Sequence, residues 1–313
     1  GVSVVKVIVA TADSSSTRKW HDVMQAALPQ YEVLAWDAAA QATGARYAVV
    51  WMPPEELFRR ETGLQAVFNL GAGVDHLMSL PSLPDIPVLR LEDAGMAAQM
   101  AEYVIHSLAS LSRGFDAYAM QQANGRWAPL PVMRYEDWPV GVMGLGKLGS
   151  HVACAVAELG YPVAGWARRA QQLDGVQVYH GAAQFADFLG RSRVLVNLLP
   201  LTPQTTGIID SSLLKQLRPN AVVINIARGG HVVDADLLAA LDSGQVQAAV
   251  LDVFNQEPLP PDHPYWVHPR VRITPHVAAT TMEHHAVAQV SEGIRRLEQG
   301  EAVDGLVGRD TGY

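Results

Sequence analysis

The sequence predicts an α/β protein of two Rossmann-like, doubly wound parallel-sheet domains with an active-site cleft between them. Two observations predict it. Apolar, β-branched runs alternate with helix-period stretches along most of the 313 residues, and a glycine-rich turn, Gly144-Leu145-Gly146-Lys147-Leu148-Gly149, separates one such run from a helical stretch. Short wholly apolar runs belong to strands buried on both faces, and strands of that kind are joined by crossover helices.

In chain order, the first series pairs an apolar run at 4–10 with a helical pattern at 17–28, then 47–51 with 55–61 and 66–70 with 74–80, and closes on a run at 88–91. A proline-free helical stretch from 96 to 123 reads as the crossing between domains, and the Trp- and Pro-rich segment 127–139 as an arm. The second series places strands at 140–143, 163–166, 194–198, 221–226, 248–251 and 271–273, the six strands of a doubly wound dinucleotide domain. The helical stretch 281–299 then returns the chain to the first domain. The expected division is a substrate-binding, flavodoxin-like domain of residues 1–95 and 281–313, and a dinucleotide-binding domain of 96–280.

The turn at 144–149 is a G-x-G-x-x-G in the order strand, turn, helix, the setting that binds the pyrophosphate of a dinucleotide. The first glycine permits the tight turn, the second lets the backbone approach phosphate, and the third lets helix and strand pack closely. The cofactor-binding residues are therefore Gly144, Leu145, Gly146, Lys147, Leu148 and Gly149. At the end of the next strand, where an NAD enzyme carries an acid about 20 residues on, the chain has Ala167-Arg168-Arg169. No carboxylate is there to accept a ribose 2′-hydroxyl, and two guanidinium groups match a 2′-phosphate, so the expected cofactor is NADP(H). The alternative is two solvated surface arginines.

Composition sets bounds. With 49% hydrophobic and 17% charged residues and a net charge of −8, a nucleic-acid footprint is not expected, and the positive field for a polyanionic cofactor has to be made locally. No segment approaches the roughly 20 apolar residues of a membrane span. The start Gly1-Val2-Ser3-Val4-Val5-Lys6 reads as too short and strand-like for a signal peptide. The single cysteine, Cys154, cannot pair within the chain, so a reducing, cytoplasmic setting is expected. No metal site is expected, because the histidines, His284-His285 included, lack ligand spacing.

Three constellations end late strands of the second series: Asn225-Ile226-Ala227-Arg228-Gly229-Gly230, the segment from Leu251-Asp252 to Glu257-Pro258, and Ile273-Thr274-Pro275-His276-Val277-Ala278. Ligands of open α/β sheets bind at that edge. Reduction of a ketone needs a cation to polarise the carbonyl and an acid to protonate the new alkoxide. Arg228 and His276 supply those roles, and Glu257 would hydrogen-bond the imidazole and fix its tautomer. Each residue alone reads as structural or solvated; their convergence on one sheet edge makes the catalytic set.

In the first domain, Gly71-Ala72-Gly73 follows a strand and precedes a helical stretch, a turn whose backbone N–H groups would hold a substrate carboxylate; the alternative is a plain strand-to-helix turn. Trp51, at another strand end, would cap the same cleft and favour small substrates.

With these motifs in order, the chain resembles the D-2-hydroxyacid dehydrogenases over nearly its full length. The likeness is carried by 71–75, 144–149, Leu199-Pro200-Leu201-Thr202-Pro203-Gln204-Thr205, 225–229 with Val233-Asp234, 251–258 and Thr274-Pro275-His276. Within the family it is most similar to the bacterial glyoxylate/hydroxypyruvate reductases, through 90–96, 194–200 and 252–260. The resemblance implies Arg228, Glu257 and His276 as catalytic, Arg228 and His276 also touching substrate and cofactor. It further implies Leu199, Pro200, Thr205, Ile226, Ala227, Asp252 and Ala278 as cofactor contacts, with Thr205 near the pyrophosphate and Asp252 near the nicotinamide amide. A homodimer formed through the second domain and the arm around Trp127 is implied as well. The expected activity is NADPH-dependent reduction of small 2-ketoacids, glyoxylate to glycolate and hydroxypyruvate to D-glycerate. The alternatives are a bulkier 2-ketoacid such as phenylpyruvate, or a nicotinamide-binding regulatory protein.

Overall fold

The computed structural model describes residues 3–71 and 73–309. The chain divides into two compact units, Gly1–Gly95 with Thr281–Tyr313, and Met96–Thr280.

In the first unit, the strands β1 (Lys6–Thr11), β2 (Glu32–Ala35), β3 (Tyr47–Trp51), β4 (Ala66–Asn69) and β5 (Val88–Leu89) form one parallel sheet in the order β2-β1-β3-β4-β5. Between them run α1 (Ser14–Ala27), α2 (Glu56–Arg60) and α3 (Asp75–Met78). The N-terminus of α1 is closed by Asp13, whose carboxylate accepts from the Ser16 N–H at 2.8 Å. The core joins Ile8, Ala10, Val50 and Val67 of the sheet to Leu57, Phe58 and Leu77 of the helices.

The second unit opens with α4 (Met96–Ser112) and α5 (Phe115–Ala123), followed by β6 (Val140–Met143), α6 (Lys147–Glu158), β7 (Val163–Ala167), β8 (Gln177–His180), α7 (Gly181–Arg191), β9 (Val194–Asn197), α8 (Ser211–Gln216), β10 (Ala221–Asn225), α9 (Asp234–Ser243), β11 (Val246–Leu251) and β12 (Val271–Ile273). The last helix, α10 (Glu283–Glu298), belongs to the first unit. It lies close on β4 through Gly293, where a Cβ would come within 2.6 Å of the Phe68 ring, and its end is held by Tyr47 and Arg46, which both donate to the Glu298 carboxylate.

The second sheet is parallel throughout, in the order β12-β11-β10-β9-β6-β7-β8. Alternate residues of its strands enter opposite cores. Val194, Val196, Val222 and Ile224 pack on one face, and Leu195, Ala221 and Val223 on the other, which is why these strands read as unbroken apolar runs.

Three features differ from the expectations. Both β2 and β8 are present as outermost strands, and their mixed burial explains why Glu32–Ala35 and Gln177–His180 lack an apolar run. The second sheet therefore has seven strands rather than six among the described residues. The stretch 96–123 is two helices, parted at Gly114, which takes φ +70.

Candidate active site

The order of the second sheet reverses between β6 and β9, and the glycine turn follows β6. Its glycines differ in what they avoid. A Cβ on Gly144, at φ +105, would lie 2.7 Å from the Leu198 carbonyl, and one on Gly149 would lie 1.9 Å from the Gly144 carbonyl oxygen. A Cβ on Gly146 would meet nothing within 4 Å, so that glycine leaves room open rather than relieving a clash. Gly146 is also the N-cap of α6 and provides no side-chain cap, so the first-turn N–H groups and the positive end of the helix dipole border that room. The turn thus fits the pyrophosphate of a dinucleotide. Leu145 is buried, Leu148 half-buried and Lys147 exposed. The neighbouring β7 ends on buried Ala167 and delivers Arg168 and Arg169 to the surface at the same edge.

An amide pair joins the ends of β9 and β10. The side-chain N–H of buried Asn197 donates to the Asn225 side-chain oxygen at 3.0 Å, and the Asn197 oxygen accepts from the Leu199 N–H at 3.1 Å. Asn225 in turn accepts from the Ala227 N–H at 3.2 Å and donates to the Arg228 carbonyl at 3.0 Å. Two side chains therefore shape both the Leu199-Pro200 and the Ile226-Ala227-Arg228 turns. Thr205 closes its own loop, donating to the Pro200 carbonyl at 2.7 Å and accepting from the Thr202 N–H at 2.8 Å. The ring nitrogens of buried His231 lie 3.1 Å from the Arg228 and Pro200 carbonyl oxygens. Sequence reasoning passed over Asn197 and His231. For Asn197 the available signal was a polar residue closing an apolar strand, as Asn225 closes the next one; His231, in the turn after Arg228, gave none.

Arg228, Glu257 and His276 follow β10, β11 and β12, three adjacent parallel strands, so all three stand at one edge of one sheet. Arg228 is half-buried, with Nη1 donating to the Ala227 carbonyl at 2.7 Å. The Glu257 carboxylate accepts from the Phe254 N–H at 3.1 Å, and its other oxygen lies 2.8 Å from His276 Nδ1. A carboxylate only accepts, so Nδ1 carries hydrogen and Nε2 is the nitrogen left for proton exchange with a ligand.

The His276 backbone is left-handed, with φ +54, a conformation uncommon for a residue with a Cβ. Asp252, only 1% exposed, surrounds it. The Asp252 carbonyl accepts from the His276 N–H at 2.9 Å, and the carboxylate accepts from Val277 N–H at 2.8 Å, Ala278 N–H at 3.0 Å and the Thr274 hydroxyl at 2.7 Å. Asp252, expected beside the nicotinamide amide, thus spends these bonds on the loop that carries His276.

In the first unit, the side chain of Asn69 donates to the carbonyls of Gly71 at 3.1 Å and Gly73 at 2.9 Å. Across the trans peptide, the bonded Gly73 carbonyl sends the Val74 N–H the opposite way. Ala72 lies outside the described residues. The indole of Trp51 lies over the turn, since a Cβ on Gly71 would come within 2.6 Å of the ring, and the side chain remains 37% exposed.

Residues 105–278 match the family model for the NAD binding domain of D-isomer specific 2-hydroxyacid dehydrogenases. A D-isomer specific 2-hydroxyacid dehydrogenase family protein from Klebsiella pneumoniae 342 is 39% identical, with 99% of each chain covered and a TM-score of 0.89. The NADPH-dependent glyoxylate/hydroxypyruvate reductase of Sinorhizobium meliloti, solved with NADP and sulfate, is 38% identical over 99% of this chain and 100% of that one, with a TM-score of 0.92. A D-isomer specific 2-hydroxyacid dehydrogenase from Xanthobacter autotrophicus Py2, solved with NADPH and MES, is 38% identical over the whole of both chains, also with a TM-score of 0.92. With its parallel sheets, its glycine turn and this likeness along its length, the chain belongs to the D-isomer specific 2-hydroxyacid dehydrogenase family.

Proposed function

We propose that this protein reduces small 2-ketoacids with NADPH, converting glyoxylate to glycolate and hydroxypyruvate to D-glycerate. The observation that carries the reading is the Glu257–His276 pair, 2.8 Å apart, at the sheet edge that also presents Arg228. When bound, the reduced nicotinamide supplies a hydride to the carbonyl carbon. Arg228 holds the substrate's carboxylate and carbonyl oxygen and stabilises the negative charge that grows there. His276, protonated on both nitrogens, gives its Nε2 proton to that oxygen while Glu257 keeps Nδ1–H engaged and balances the charge; solvent then restores the proton. In the first unit, the turn at Gly71 and Gly73, with the Trp51 ring over Gly71, is assigned to substrate recognition. The glycine turn takes the pyrophosphate, and Leu199, Pro200, Thr205, Ile226, Ala227 and Ala278 belong to the same cofactor surface.

Arg168 and Arg169 are assigned to the 2′-phosphate, supported by their place at the end of β7 and by the absence of an acid at 167–169. Replacing both by alanine is expected to narrow the NADPH-to-NADH ratio of kcat/KM by about tenfold, the scale of one or two charge-assisted hydrogen bonds at an exposed site. Steady-state kinetics with the two cofactors reads this, and an unchanged ratio would leave the pair as surface charge only. A homodimer is proposed through the arm, where Trp127 is 96% and Val132 94% exposed. Among the described residues no helix is long and apolar enough to cross a membrane; we place the enzyme in the cytoplasm, in keeping with its single cysteine.

The testing experiment follows the loss of reduced-nicotinamide absorbance with glyoxylate, hydroxypyruvate and phenylpyruvate, using NADPH and NADH. Fast turnover of the two small acids with NADPH is the expected result. Preference for phenylpyruvate would move the assignment to a bulkier ketoacid, and tight NADPH binding without turnover of any of the three would overturn it.

A further inference from the structure

We propose that Tyr103 is a positioning residue for His276, acting through a hydroxyl relay that runs from α4 to the loop carrying the imidazole; this rests on the reading of His276 as proton donor. Tyr103 lies within α4, and Thr274, 171 residues further on, follows β12. Their hydroxyl oxygens are 2.6 Å apart, and Thr274 Oγ1 lies 2.7 Å from Asp252 Oδ1. The direction follows from the chemistry. The Asp252 carboxylate only accepts, so the single hydroxyl hydrogen of Thr274 goes to it, and the Thr274 oxygen accepts from Tyr103. Burial raises the Tyr103 phenol above its ordinary range, the hydrogen bond with Thr274 opposing and the nearby Asp252 charge adding to the rise, so the group stays a donor at neutral pH.

The loop needs such support because His276 holds a left-handed backbone, which a residue with a Cβ keeps only when its surroundings impose it. Asp252 imposes it through the Thr274 hydroxyl and the N–H groups of His276, Val277 and Ala278. Oδ1 is shared between Thr274 and Val277, so the rotamer of Thr274 bears directly on how that carboxylate meets the loop. Tyr103 fixes the rotamer. It stands on a helix whose Val104 and Leu108 are buried in the core, so the relay ties a strained loop to a rigid element.

Tyr103→Phe removes one oxygen and keeps the ring. Exchange of the Val277 and Ala278 amide hydrogens, followed in deuterium oxide, is expected to quicken about tenfold. In turnover, kcat should fall by about tenfold with KM for NADPH unchanged, and the solvent isotope effect on kcat should rise, because proton donation from a loosely held imidazole becomes limiting. A residue that merely supports the fold would lower thermal stability and leave the isotope effect where it was. Thr274→Val should reproduce these changes, Thr274→Ser should restore the amide protection, and the double variant Tyr103→Phe with Thr274→Val should be no worse than either single one. Unchanged exchange at 277–278 in Tyr103→Phe overturns the relay, as does faster exchange with kcat and isotope effect unmoved. The exchange arm needs no substrate. A wild type that reduced no 2-ketoacid would therefore count against the assigned reaction, and the exchange rates would still decide the relay.

Discussion

Replacing His276 by glutamine is expected to lower kcat for glyoxylate by about a thousandfold while leaving NADPH affinity within about twofold. General acid catalysis by a positioned imidazole contributes roughly 10²–10⁴-fold, and the glutamine amide has no proton to give in the pH range of turnover. The substitution is conservative for the rest of the loop. The N–H of residue 276 still donates to the Asp252 and Thr274 carbonyls, and an amide can still donate to Glu257, so the left-handed turn keeps its supports. The glycine turn and the end of β7, where the pyrophosphate and 2′-phosphate are assigned, lie on other strands and should be untouched. Stopped-flow turnover and a fluorescence titration with NADPH separate the two effects. Equal loss of kcat and of cofactor affinity would make His276 a structural residue of the loop, and a fall of less than about tenfold would mean that another group donates the proton.

What could be read from the sequence divides along a physical line. Local chemistry was legible. Gly144, Gly146 and Gly149 stand between an apolar run and a helix, and the structure gives each its own reason, a left-handed turn, an open approach and a close packing contact. Strands inside a sheet were legible because both faces are buried, whereas β2 and β8, covered on one edge only, carry residues such as Glu32, Gln177 and His180 that break the pattern. Of the candidate site, the placing of Arg228, Glu257 and His276 at one sheet edge could be read because each follows a readable strand. The residues that hold them could not. The Asn197–Asn225 pair depends on β9 lying beside β10, and the Tyr103–Thr274–Asp252 relay joins groups 171 and 22 residues apart, so neither exists until the sheet order is known. The break at Gly114 was hidden for the opposite reason, since a single glycine inside a helical pattern does not by itself end a helix.

Arg228→Lys should lower kcat/KM for the ketoacid by about a hundredfold although the charge is kept, the scale of losing one positioned donor to a developing oxyanion. A guanidinium is planar and can bridge two acceptors at once, while an ammonium is a compact point charge on a flexible stem. In this structure Nη1 of Arg228 donates to the Ala227 carbonyl, and that carbonyl belongs to a turn fixed by Asn225, so one arm of the fork sets the plane in which the others meet a ligand. Lysine can satisfy the charge but not the plane. The loss should therefore appear in both KM and kcat, because the carboxylate is gripped in the ground state and the carbonyl oxygen only as charge develops. This distinguishes it from His276→Gln, where the loss belongs to kcat alone. A lysine variant within about threefold of wild type would show that charge rather than geometry is what the site asks of residue 228.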